Sequence, residues 1–134
     1  MKNLCTLKTV NTILLVGLIA LALGCGYSKK TMPVQPGVVP NIAQLSPPSA
    51  TANNSVPLEV EGTNFATNAV IKFNGAAMAT TFVSATKLET TIPASAIMNT
   101  GAVPVTVTNP GTPGGIYGGG TAAETSAAIT FTVN

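Results

Sequence analysis

The chain predicts an all-β fold, a two-sheet sandwich of about seven short strands with Greek-key connections, and three observations carry that expectation. Apolar residues alternate with polar or charged ones at period two in several separate runs. β-branched residues dominate those runs. Pro, Gly, Asn and Ser fill the gaps and place turn signals every ~8–12 residues, the spacing of a sandwich rather than of an open sheet.

The first strand is expected over residues 42–45, ahead of Ser46-Pro47-Pro48. Val56, Leu58 and Val60 then alternate with Pro57, Glu59 and Glu61, which gives one apolar and one solvated face. Ile71 and Phe73 bracket Lys72 in the same way, and Asn74-Gly75 follows directly. Both central positions of a type I′ turn need positive φ, which Asn and Gly tolerate, so residues 76–83 are expected to run back along the preceding strand. A weaker run over residues 88–92 stops at Pro93, and residues 94–99 can form one helical turn at most before Gly101. Val103, Val105 and Val107 alternate with Pro104, Thr106 and Thr108; Ile129, Phe131 and Val133 close the set around Thr130 and Thr132. Pro57 and Pro104 bring no N–H to a ladder, so each is placed near the start of its strand.

Upstream of residue 40 the pattern changes. Residues 13–24 form an apolar run of 12. As a helix it reaches about 18 Å against a hydrocarbon core of ~30 Å, too short to span. Lys2 and Lys8 precede or flank this run and no acidic residue occurs before Glu59, so residues 1–24 read as a secretory signal peptide. Leu21-Ala22-Leu23-Gly24-Cys25 resembles the lipobox of bacterial lipoproteins, with Ala22 where that box more often has leucine. The resemblance implies cleavage before Cys25, acylation of its thiol and of the new amino terminus, and attachment to a membrane of the cell envelope through those acyl chains. Two or more chains anchor stably where one holds only marginally. Gly26 is not the aspartate that resembles an inner-membrane retention signal, which favours the outer membrane in a host that has two. Residues 25–39 carry Lys29-Lys30, Pro33 and Pro36 among small residues and read as a lipid-anchored, semi-extended tether, leaving residues 40–134 for the sandwich.

Cleavage would leave 110 residues, enough for one domain with a real core. Lys29, Lys30, Lys72 and Lys87 then balance Glu59, Glu61, Glu89 and Glu124, so the net charge of +2 belongs to the precursor. Without a basic field, no nucleic-acid partner is expected. The sequence contains no His, Asp, Arg or Trp. General acid–base work uses His or carboxylates with separated pKa values, and three of the four glutamates sit on strand faces pointing to water, so no catalytic residue and no enzymatic activity are expected. A metal site would lack imidazole, thiolate and an aspartate cluster, so no metal or other cofactor is expected either. Cys5 leaves with the signal and Cys25 is modified, so the domain must stand on packing without a disulfide.

Several blocks of the mature chain are similar to the IPT/TIG domain family in the family's own order: Pro40-Asn-Ile-Ala-Gln-Leu-Ser-Pro47, Leu58-Glu-Val-Glu-Gly-Thr-Asn-Phe65, Val70-Ile-Lys-Phe-Asn-Gly75, Thr91-Ile-Pro93, Val103-Pro-Val-Thr-Val-Thr-Asn109 and Ile129-Thr-Phe-Thr-Val133. The resemblance implies an immunoglobulin-like sandwich of the E-set kind. Its strongest element, Gly62-Thr63-Asn64-Phe65, also has a physical reading: Gly62 supplies unusual dihedrals where a strand turns away, Asn64 caps the turn, and Phe65 plugs the end of the sandwich. Phe65, Phe73 and Phe131 are expected in the core.

The longest interval between strands, residues 109–126, contains two large side chains, Ile116 and Tyr117, flanked by glycines. Loops of this length are functional or disordered, so Ile116 and Tyr117 are the candidate partner contact and a flexible spacer is the alternative. The function expected from the sequence is a non-enzymatic, lipid-anchored cell-envelope protein presenting an immunoglobulin-like domain for structural or adhesive protein contacts. The alternative is a module binding envelope polysaccharide through the glycine-rich final loop.

Overall fold

The computed structural model describes residues 32–116 and 118–134. Cys25, with the expected signal peptide at residues 1–24 and the start of the expected tether, lies outside the described residues, as does Tyr117. Two sheets pack face to face. The first has the order β1-β3-β7-β6, built from β1 (Asn41–Ser46), β3 (Val56–Thr63), β7 (Lys87–Ile92) and β6 (Thr80–Ser84). The second has the order β2-β10-β8-β4-β5, from β2 (Ser49–Ala50), β10 (Ile129–Val133), β8 (Gly101–Asn109), β4 (Val70–Phe73) and β5 (Ala76–Ala77). The two-residue β9 (Glu124–Thr125) pairs with the end of β8. Seven of these strands have four residues or more, as the alternation predicts, and β2, β5 and β9 are two-residue additions. All pairings are antiparallel except β10 with β2.

The apolar parity of each run faces inward. Leu58 and Val60 of β3 and Leu88 and Ile92 of β7 meet Ile71 and Phe73 of β4, Val105 and Val107 of β8, and Phe131 and Val133 of β10, all buried. Phe73 and Phe131 stack edge to face with centroids 5.5 Å apart, a geometry that adds to the stabilisation from burial. Phe65 is buried as expected. Val56, Val103 and Ile129 pack on the rim of this core, half-buried. The one helical element among the described residues is the 3-10 turn Ala94–Ala96, and none is long and apolar enough to cross a membrane.

Three details differ from the sequence expectation. Asn74 and Gly75 do take positive φ, 49° and 81°, and pair β4 with β5. The returning chain does not stay there, however, because after Ala77 it leaves for the other sheet as β6. Thr80 makes the crossing: its hydroxyl donates to Met78 O (3.0 Å) and accepts from Ile71 N (2.9 Å), satisfying the backbone where the ladder ends. Pro104 is the second difference, since it sits inside β8 and not at its start. Its carbonyl accepts from Asn74 N (2.9 Å) beyond the end of β4, so its ring nitrogen faces the same hairpin side and no ladder donor is lost. Third, the left-handed residue of the Gly62-Thr63-Asn64-Phe65 corner is Asn64 (φ 63°) and not Gly62. Gly62 is required instead for close approach: a Cβ there would strike Asn41 O and come within 2.7 Å of Phe65 Cζ. The β1–β3 register shifts between Ile42 and Gln44, opposite Gly62 and Glu61, so the glycine lies beside a bulge.

Candidate functional site

Residues 109–116 and 118–126 fold back on each other as a narrow ribbon. Thr112 and Thr121 lock its middle: Thr121 N donates to Thr112 O (3.1 Å), Thr112 N donates to Thr121 Oγ1 (3.1 Å), and the hydroxyls lie 3.0 Å apart. Gly118 N donates to Gly115 O (2.9 Å) and closes the tip, where Ile116 is 93% exposed. The return leg rejoins β8 through β9. Ser126 completes this joint, its amide donating to Val107 O (2.9 Å) and its hydroxyl accepting from Val107 N (3.0 Å) and donating to Ala127 O (2.8 Å).

The end of the segment expected as a semi-extended tether is fastened to this ribbon. Gln35 N donates to Gly120 O (2.9 Å) and Ala122 N donates to Gln35 O (2.9 Å), a parallel bridge beside Thr121. The cause lies in the extended backbone that Pro33 and Pro36 favour, which can pair with a ribbon edge as readily as with water. Between tether and ribbon remains a small cavity of about 210 Å³, lined by Pro36, Val38, Asn68 and Asn109 among others.

Asn109 ties the parts together, and the sequence reading did not single it out. It is 5% exposed. Its Oδ1 accepts from Ala66 N (3.0 Å), and its Nδ2 donates to Val38 O and Asn64 O, each at 2.8 Å. One amide thus joins the tether, the corner after β3 and the end of β8. A signal was present in the sequence: Asn109 continues the inward parity of Val103, Val105 and Val107, and an amide at an inward position must find partners. Asn64 adds a longer contact of 3.4 Å from Nδ2 to Val39 O.

The outer face of the first sheet carries most of the charge. Lys87 Nζ lies 2.7 Å from Glu59 and 3.9 Å from Glu89, while Gln44 hydrogen-bonds Glu61. The hydrogen bond to Glu59 holds the Lys87 ammonium above its ordinary pKa of 10.5, outweighing the opposing effect of desolvation. Beside this cluster an open depression of about 680 Å³ runs over Pro57, Thr81 and Thr91. Among the described residues no three His, Cys, Asp or Glu side chains converge to hold a metal ion.

Two antiparallel-rich sheets in these orders, closed by a corner at Asn64 and Phe65, define an immunoglobulin-like sandwich. Residues 40–133 match the model of the IPT/TIG domain, and the chain belongs to that family. No curated protein matches the chain. Among solved structures, the chain is similar to an auxiliary nutrient binding protein from Bacteroides ovatus, at 18% identity and a TM-score of 0.46 over 77% of this chain and 22% of that one. It is also similar to a protein named "Putative phosphatase" from Bacteroides thetaiotaomicron, at 20% identity and a TM-score of 0.47 over 75% of this chain and 19% of the other. The chain therefore spans about a fifth of the length of each.

Proposed function

We propose that the protein is a lipid-anchored component of the cell envelope, without enzymatic activity, that holds one IPT/TIG sandwich at a membrane surface for structural or adhesive contact with other envelope proteins. The observation that supports this reading best is the closeness of anchor and domain. The lipobox-like Leu21-Ala22-Leu23-Gly24-Cys25 ends seven residues before Met32, and from Gln35 onward the chain is hydrogen-bonded into the sandwich. A domain on so short a link is suited to holding a position at the surface. Cys25 is the acylated residue in this reading, and the outer membrane is the site in a host with two membranes. The neutral mature chain and the absence of His and Asp from the sequence are consistent with a role in contact and not in chemistry.

Intact-mass measurement on protein extracted from membranes tests the proposal. The expected species begins at Cys25 and carries acyl chains, and Cys25→Ala abolishes both the added mass and the membrane association. A chain cut elsewhere, or an unmodified Cys25, refutes it.

A further inference from the structure

Exposed apolar side chains are not spread evenly over the sandwich. Of the seven large exposed ones among the described residues, Met32, Val34, Val38, Val39 and Ile116 belong to the tether or the ribbon tip; Val83 and Met98 lie elsewhere. The tether and the tip are physically joined. Gly118 (φ 87°) has Met32 Cβ 2.7 Å from where its own Cβ would stand, so the tip turn that projects Ile116 lies against Met32. This end of the molecule carries Asn41, Asn64 and Asn109, whereas residues 94–100 lie at the other end of β8. Nine residues of β8 separate the two ends by about 27 Å at ~3.4 Å per step.

We infer that Met32, Val34 and Ile116 form a lipid-contacting edge that seats the sandwich, tether end down, on the bilayer to which Cys25 is attached. The inference rests on the proposed acylation of Cys25. The length of chain outside the described residues selects a bilayer as the occupant: six residues, and so seven Cα-to-Cα steps, link Cys25 to Met32, a reach of at most about 25 Å at ~3.5 Å per step. The apolar edge is therefore confined near lipid whenever the anchor is inserted. Glu124 packs against Gly37, on the sandwich side of the Gln35 bridge, whereas residues 110–123 and 32–36 contain no acidic residue that anionic headgroups would repel, and Lys29-Lys30 lie in the connecting segment. Ile116 at the tip of a turn can enter the interfacial region without exposing strand backbone to hydrocarbon, because the ribbon legs pair with each other.

The test uses the full chain, processed and extracted from membranes, then reconstituted into vesicles of phosphatidylethanolamine and phosphatidylglycerol. Gly115→Cys places a thiol beside an intact Ile116 at a position with open space around it; Asn99→Cys places one at the far end, also exposed. Each is reacted with a membrane-impermeant maleimide, and rates are normalised to the unfolded chain. Burial of one isoleucine side chain favours the seated state by about tenfold, so Gly115→Cys should react about tenfold more slowly than Asn99→Cys, and adding Ile116→Asp should restore its rate. Equal rates at the two sites, in a preparation whose otherwise unsubstituted chain does not react, overturn the lipid edge while leaving the anchor intact. Reaction at Cys25 in the unsubstituted chain, with loss from vesicles, overturns the anchor and the lipid edge together. Protection of Gly115→Cys only after envelope protein is added overturns the lipid edge in favour of a protein partner.

Discussion

Replacement of Asn109 by alanine tests the central joint of the molecule. The wild-type amide makes three hydrogen bonds of 2.8–3.0 Å from a position that is 5% exposed, two of them to carbonyls of other segments and one from a backbone amide. Each such bond contributes roughly 0.5–1.5 kcal/mol net. Asn109→Ala therefore should cost about 2–4 kcal/mol in urea denaturation of the protein. At ~4–8 °C per kcal/mol for a domain of this size, the melting temperature should fall by about 8–30 °C. Asn109→Asp sharpens the test. It keeps an acceptor for Ala66 N but turns the Val38 and Asn64 carbonyls toward a second oxygen, so at neutral pH it should destabilise at least as much as alanine. Val38 lies on the tether, so both variants should also speed proteolysis within residues 35–39. A loss below ~0.5 kcal/mol, the range of an ordinary surface substitution, would mean that water satisfies these groups equally well and would refute the joint.

Other expectations follow from single contacts. Phe65→Ser should cost about 3–5 kcal/mol, as truncation of a buried aromatic does, and an unchanged melting curve would remove Phe65 from the core. Gly62→Ala should destabilise by about 1–3 kcal/mol, because the new methyl meets Asn41 O and the Phe65 ring, whereas Gly115→Ala, with no heavy atom within 4 Å, should stay within ~0.5 kcal/mol; equal effects in urea midpoints would contradict the bulge geometry. Lys87→Met should lower stability through loss of the Glu59 pair. The folded-state pKa of Lys87 is raised, so its contribution is fully present below 10.5 and is lost as pH rises through the higher folded value. Above neutral pH the gap between wild type and variant should therefore close only in strong alkali, and at neutral pH it should narrow in high salt; a gap independent of both would exclude an ionic origin.

Much of the sandwich was legible because its signal is local. Val56, Leu58 and Val60 announce an inward face by alternation alone, and Asn74-Gly75 announces its turn by the φ values that only a few residues tolerate. What alternation cannot say is which sheet a strand joins. Residues 76–83 read as one strand, and the change of sheet at Met78–Ala79 depends on Thr80 meeting Ile71 N and Met78 O, contacts that exist only once the hairpin has formed. Pro104 was misplaced for a related reason. A proline is excluded from a ladder only on the side its nitrogen faces, and that side is set by the length of β4, which stops at Phe73.

The tether and ribbon were harder to read, because glycine and proline report on composition before they report on contact. Gly118, Gly119 and Gly120 suggest a mobile loop. In the fold Gly118 admits Met32, and Gly120 supplies the carbonyl that receives Gln35. The partner in each case comes from the opposite end of the domain sequence, so no local pattern separates a glycine that loosens a loop from one that lets another strand approach. Asn109 is different in kind. Its parity with Val105 and Val107 places a polar side chain on the buried face, and such a residue is tolerated only where backbone donors and acceptors converge on it. Parity therefore locates the joint between domain and tether from sequence, even though the identity of the converging segments, at Val38, Asn64 and Ala66, is fixed only by the fold.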